Sequence, residues 1–350
     1  MSQQPRVRSR LRAYTEFLAA VFYFFLARGL AHHAAQVFSL GQLPVLGSPL
    51  AEQAILAFFL LMGYAALGFW LDREAHPISA QGFPRRQGWP REAAMGLATG
   101  WGVALVCVLP MLLAGGIAVV LNTQPPAWVA FAGDAAFFAM AALVEEIAFR
   151  GYGFQRFADA VGPVGASLLF AAYYALVQAM ILGANRASIA VSAVFALVLA
   201  AAYLRTRALW LSWGLNFGWK ASRALLFGLA VSGDGSRSPV VQGDPMGPFW
   251  LTGGAFGLDG TWLAFLAMVA ALLLVFRITR DLDFKYNAPV LVPGGIPVDL
   301  DAAARAQHEA AMGTEESAPS APLVQIAAAT SPQPVARPEM REGSGASGPQ

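Results

Sequence analysis

The chain has 350 residues, 57% hydrophobic and 13% charged, with a formal net charge of +2, whereas an ordinary soluble domain has roughly 45–50% apolar and about 25% charged residues. The composition is that of a membrane protein, and the small charge, with no zinc-finger spacing, phosphate loop or dinucleotide fingerprint, excludes nucleic-acid binding. The single cysteine, Cys107, lies in an apolar run; it excludes a disulfide framework and a thiolate metal site and reads as a packing residue.

Residues 1–12 form a basic N-terminus carrying Arg6, Arg8, Arg10 and Arg12. The apolar run behind it has no small-residue cleavage site before LGQLPVLGSPL, so it reads as a retained helix and not as a secretory signal. Runs approaching the ~20 apolar residues that cross the ~30 Å hydrocarbon core fall at 13–34, 50–71, 93–121, 127–150, 163–182, 187–204, 208–230 and 260–277. They predict an all-α, polytopic bundle of eight transmembrane helices within a membrane domain of residues 13–280.

Basic residues gather in alternate loops: Arg73, Arg85, Arg86 and Arg91, then Arg156, then Arg205 and Arg207, and after the last span Arg277, Arg280 and Lys285. The intervening loops hold Arg186 and Arg237. The positive-inside bias therefore places both termini in the cytoplasm. Residues 231–259, rich in Gly and Pro, make an external connector, either a flexible linker or a lid. Residues 286–350 lack apolar periodicity and are expected to form a disordered cytoplasmic tail.

Against this apolar background, LVEEIAFRGYGFQRF places Glu145, Glu146 and Arg150 in the fourth span. An intramembrane charge is costly and usually faces the bundle interior at a functional site; the other reading is a helix end whose Arg150 snorkels to the inner interface. Glu146 and Arg150, four apart, share a face and can pair, while Glu145 points about 100° away and is left to meet something else. The breaker Gly162-Pro163 predicts a helical hairpin that brings Gln178 to the depth of Glu145. Gln178 serves either as interhelical glue or in the site. Asn216 and Lys220 are four apart on the seventh span, with Arg223 three further on. Lysine occurs in this chain only at 220 and 285. The buried cations need acids, and Asp134, Glu145 and Glu146 are the candidates, with Asp134 assigned to Arg223.

These residues carry a resemblance. EEIAFRGYGFQRF, a helix with an aromatic-x-x-x-polar pattern and YLRTRALWLSWGLNFGWK resemble the CPBP family of intramembrane proteases, which includes type II CAAX prenyl endopeptidases and bacteriocin-processing or immunity proteins. The resemblance covers residues 127 to about 225, and Glu145, Glu146 and Arg150 match the family's E-E-x-x-x-R motif. It implies a multi-pass protein of the cell membrane, expected to be the bacterial inner membrane, that cleaves membrane-bound, lipidated or bacteriocin-type peptides from the cytoplasmic side. It also implies a catalytic Glu, two histidines, an Asn and a divalent metal, generally zinc.

The later positions depart from that pattern. Gln178, four residues after Tyr174, stands at the first His position, Asn216 at the second and Lys220 at the Asn. The four histidines, His32, His33, His76 and His308, lie elsewhere in the chain. Amides are poor zinc ligands, so no metal or other cofactor is expected. The expectation is that Lys220 supplies the charge that a metal supplies in the family, leaving a protease-like fold with impaired hydrolysis. The alternative is a non-catalytic membrane protein that binds membrane peptides, lipidated proteins or other partners in the same cavity. A transporter is a weaker reading, because no repeated half-structure is evident.

Overall fold

The computed structural model describes residues 9–40, 48–235 and 238–286. Arg6, Arg8, Arg237, His308 and the tail expected over 286–350 fall outside the described residues, apart from Tyr286, which ends the last helix.

The helices start where the local chemistry starts them. Ser48 caps α2 (Pro49–Asp72) by accepting from the backbone N–H of Ala51, and proline opens that helix. Proline also begins α5 (Pro125–Arg150) and α7 (Pro163–Ala179), where its missing N–H would lack a helical partner anyway. A reciprocal Asn185/Ser188 capping box begins α8 (Arg186–Thr206), and Thr261 caps α11 (Trp262–Ile278). The remaining longer helices are α1 (Arg10–Leu40), α4 (Trp89–Leu113), α6 (Tyr152–Val161) and α9 (Leu209–Ala221), the last continued by a π-helical turn, Ser222–Leu226. Short helices α3 (Pro77–Ala80), α10 (Phe249–Thr252) and α12 (Arg280–Tyr286) complete the order.

The protein is mostly helical and multi-pass. Among the described residues five helical segments are long and apolar enough to cross a membrane: α1, α2, α4, α5 with α6 as one 37-residue stretch, and α8. Helices α7 and α11 are apolar but have 17 residues each, and α9 has 13. The expected all-α class is modified by one small antiparallel sheet, β1 (Ile117–Leu121) with β2 (Val241–Pro245), in register from Ile117 opposite Pro245 to Leu121 opposite Val241. The third apolar run was expected to stay helical to 121. It stops at Leu113 because Gly115, at φ 67°, turns the chain into the left-handed region, and the apolar residues beyond pair as a strand.

The 231–259 connector is correspondingly built, with β2, α10 and 3-10 turns at Gly254–Phe256 and Leu258–Gly260. Asn185 ties it to the start of α8 by donating to the Gly260 carbonyl at 3.0 Å. At the opposite end of the bundle lies a band of ion pairs: Arg12 and Arg156 on Asp72 at 3.9 and 3.4 Å, and Arg205 on Asp283 at 3.0 Å.

The closest helix contact is α4 against α9. A Cβ on Gly96 would run into the carbonyl of Leu211 and one on Gly100 into that of Leu215; reciprocally, Gly214 faces the carbonyl of Ala93 and Gly218 that of Leu97. Two small-x-x-x-small pairs thus let the backbones touch, the packing that apolar solvent favours because it lends helices no hydrophobic drive of their own. The seam fixes the rotation of α9, turning Asn216 and Lys220 toward α5. Replacing Gly214 or Gly218 with leucine is expected to force the helices apart, lowering the thermal midpoint of the detergent-purified protein by several degrees or abolishing folding, whereas Gly102→Leu, which meets nothing within 4 Å, leaves it unchanged.

Candidate functional site

Helix α5 carries the motif into the middle of the bundle. Arg150 donates to the Ala196 carbonyl at 3.5 Å, and Ala196 is halfway along α8. Arg150 is the last residue of α5, and the chain continues through Gly151 into α6, so this helix end lies within the bundle. Glu146 and Arg150 are both buried among the helices, with no extension of the Arg150 side chain to the surface of the bundle.

The charges form one connected cluster. Arg150 Nη1 reaches Glu146 Oε1 at 3.4 Å and the Tyr174 hydroxyl at 3.0 Å, its guanidinium lying 5.2 Å over the Tyr174 ring. Asn216 Nδ2 donates to Glu145 Oε2 and to Glu146 Oε1, each at 3.0 Å, so one amide bridges the two carboxylates. Lys220 Nζ forms an ion pair with Glu145 Oε1. Helix α9 is held to α5 independently by Trp213, whose indole N–H donates to the Ala139 carbonyl at 2.9 Å. Each intramembrane acid of the motif therefore has its own cation, and a neutral donor couples the pair.

Gln178 stands apart from this cluster. It is 8% exposed, its amide nitrogen has no hydrogen-bond partner among the described residues, and it borders the same cavity as Glu145 and Lys220. That cavity has a volume of about 550 Å³ and is walled by α1, α2, α5, α7, α8, α9 and the 231–260 segment. Toward that segment it meets a second ion pair. Arg223 contacts Asp259 at 2.6 Å and lies 3.9 Å over the Trp219 ring, while the Ser232 backbone N–H and hydroxyl donate to Asp259 Oδ2 at 3.1 and 2.8 Å. The acid assigned to Arg223 from sequence was Asp134; the observed partner is Asp259, delivered by a loop whose fold no local pattern announces. Arg28, unremarked in the sequence reading although it interrupts FLAAVFYFFLARGLA, also lines the cavity.

No group of three or more His, Cys, Asp or Glu residues gathers among the described residues. His32 contacts Glu52 at 3.2 Å between α1 and α2, and His76 precedes α3.

Breaking one member of the buried pair leaves a charge uncompensated, a loss of about 3–5 kcal/mol. Arg150→Met is accordingly expected to destabilise the purified protein strongly in thermal unfolding, and the double variant Glu146→Gln/Arg150→Met to recover most of the loss; equal midpoints for the single and double variants would contradict the pairing. Comparison with known proteins gives a family match over part of the chain. Residues 125–222 match the family described as Type II CAAX prenyl endopeptidase Rce1-like, whereas no curated protein and no solved structure gives a match. The matched segment runs from the start of α5 through α9 and contains every member of the Glu145–Glu146–Arg150–Asn216–Lys220 cluster, so it is this helical core that is similar to the CAAX-protease-like membrane proteins.

Proposed function

We propose that this protein holds a membrane-borne peptide or lipidated protein tail in the cavity beside Glu145, and that its capacity for peptide hydrolysis is impaired. The observation that carries the reading is the ion pair of Lys220 with Glu145, joined by Asn216. Hydrolysis by this family's chemistry needs an activated water on a carboxylate and a Lewis acid or donors at the developing oxyanion. Here the Glu145 oxygens that would receive a metal accept hydrogen bonds from an ammonium and an amide instead. Lysine ammonium has no lone pair to give, and Gln178 and Asn216 offer weak amide oxygens. The donor set does not fit a divalent metal; Lys220 takes over its charge and not its chemistry.

A metal-free endopeptidase is the second reading. It draws on the partial exposure of Glu145 and Lys220 to the cavity, which leaves room for a water and a peptide carbonyl. In that case Glu145 accepts the water proton, and Lys220 or Asn216 donates to the carbonyl oxygen.

The membrane frame is part of the proposal. The eight helices α1, α2, α4, α5, α7, α8, α9 and α11 are assigned as spans, and the end carrying Arg12, Arg156 and Arg205 faces the cytoplasm, consistent with the positive-inside bias. The cell membrane, the bacterial inner membrane by resemblance, is the assigned location. On this frame a membrane-borne ligand approaches the cavity from within the bilayer.

Proteoliposomes containing prenylated and unmodified membrane peptides distinguish the readings. We expect retention of peptide without cleavage, unaffected by chelators, and no stoichiometric zinc in metal analysis of the purified protein. Cleavage that disappears in Glu145→Gln establishes the metal-free enzyme; tightly bound zinc that disappears in Glu145→Gln and Glu146→Gln overturns the charge-substitution argument.

A further inference from the structure

Among the charges around the cavity, Lys220 is paired with Glu145, Arg150 with Glu146 and Arg223 with Asp259. Arg28 is exposed on α1 at the edge of the same space and has no ion-pair or hydrogen-bond partner among the described residues. Its depth follows from the antiparallel course of α1 along α5 and α6. Phe17 stacks on Phe157 at 4.5 Å and Phe24 meets Phe149 at 6.2 Å, so Arg28, one turn beyond Phe24, lies near the level of Glu145, one turn before Phe149. An arginine this far into an apolar helix needs an anion or a route to water.

The second observation is independent. The Gln178 amide nitrogen, on the opposite wall, is buried without an acceptor. Guanidinium and amide N–H groups are both donors, so a ligand that reaches both must offer acceptors, and the positive charge of Arg28 favours an anion. The mouth of the cavity shows how such a group arrives. Phe25 on α1 and Tyr173 and Val177 on α7 line the cavity yet remain 64%, 46% and 42% exposed on the flank of the bundle. The opening is therefore lateral, between two helices whose outer faces belong to the lipid, and its rim is aromatic and aliphatic. A cavity of about 550 Å³ falls in the ~300–1,000 Å³ range of small-molecule sites, which suits one chain with a small head.

We propose that this portal is a binding site for an anionic single-chain amphiphile, its phosphate-type head held by Arg28 and Gln178 and its chain lying along Phe25, Phe149 and Tyr173. The inference is separate from the question of hydrolysis, because neither Arg28 nor the rim belongs to the Glu145 cluster.

The test uses the full chain in dodecyl maltoside, with thermal unfolding followed as dodecyl phosphate is mixed into the micelles. Saturable stabilisation of the wild type is expected, with an apparent affinity roughly tenfold or more weaker in Arg28→Gln, weakened also in Gln178→Leu and partly kept in Arg28→Lys. Inorganic phosphate, dodecylphosphocholine and a hexapeptide with a free C-terminal carboxylate are the other probes, each expected to give little or no shift. The proposal is overturned if dodecyl phosphate gives no saturable shift, if Arg28→Gln responds like the wild type while Arg28→Lys also folds, or if inorganic phosphate alone matches the amphiphile. Equal stabilisation by the zwitterionic detergent, or binding of the peptide alone, overturns it too.

Discussion

Two carboxylates side by side halfway through an apolar bundle impose the constraint on which the rest of this structure depends. Ionised groups cannot stay unpaired there, so the fold must bring a cation to each from a different direction. Arg150 comes from the same helix, one turn on, and Lys220 from α9, 75 residues away in the chain. Asn216 removes the choice between them, since its amide holds both carboxylates in one geometry.

That arrangement tolerates little freedom in α9, and the glycines account for how the helix is held. Gly214 and Gly218 press one face of α9 against α4 while Asn216 and Lys220 leave from another face toward α5. Stability and site are thus set by the same short helix. Its 13 α-helical residues end in a π turn, which places Arg223 over Trp219 and against Asp259. This second buried pair ties the 231–260 segment to α9, and Ser232 and Asp259 of that segment line the cavity.

The cavity joins three chemistries in sequence. At its base is a neutralised carboxylate pair, at its cap a buried Arg223–Asp259 pair, and at its flank a lipid-facing mouth with an unmatched arginine. A protease of this family needs the base to be chemically open. In this chain Lys220 pairs with Glu145 at the base, while the amide nitrogen of Gln178 and the guanidinium of Arg28 lie elsewhere on the cavity wall. On the proposed reading the cavity takes a membrane-borne ligand while the carboxylates at its base are paired for charge balance.

The sequence by itself determined the solvent, the helical class, the motif and its departures. Composition and the length of apolar runs follow directly from bilayer thickness, and the i, i+4 spacing of Glu146 with Arg150 and of Asn216 with Lys220 is helix geometry. The family core was legible for the same reason, because its signature is local. Tertiary structure alone decided the depth of Arg150, the turn of residues 117–121 into a strand, the choice of Asp259 over Asp134, and the meeting of Arg28 with the cavity that Gln178 borders. Each of these rests on contacts between segments remote in sequence, where helix rotation and close backbone packing select the partner. A linear pattern shows that a buried charge needs a counterion; only the packed bundle shows which one reaches it.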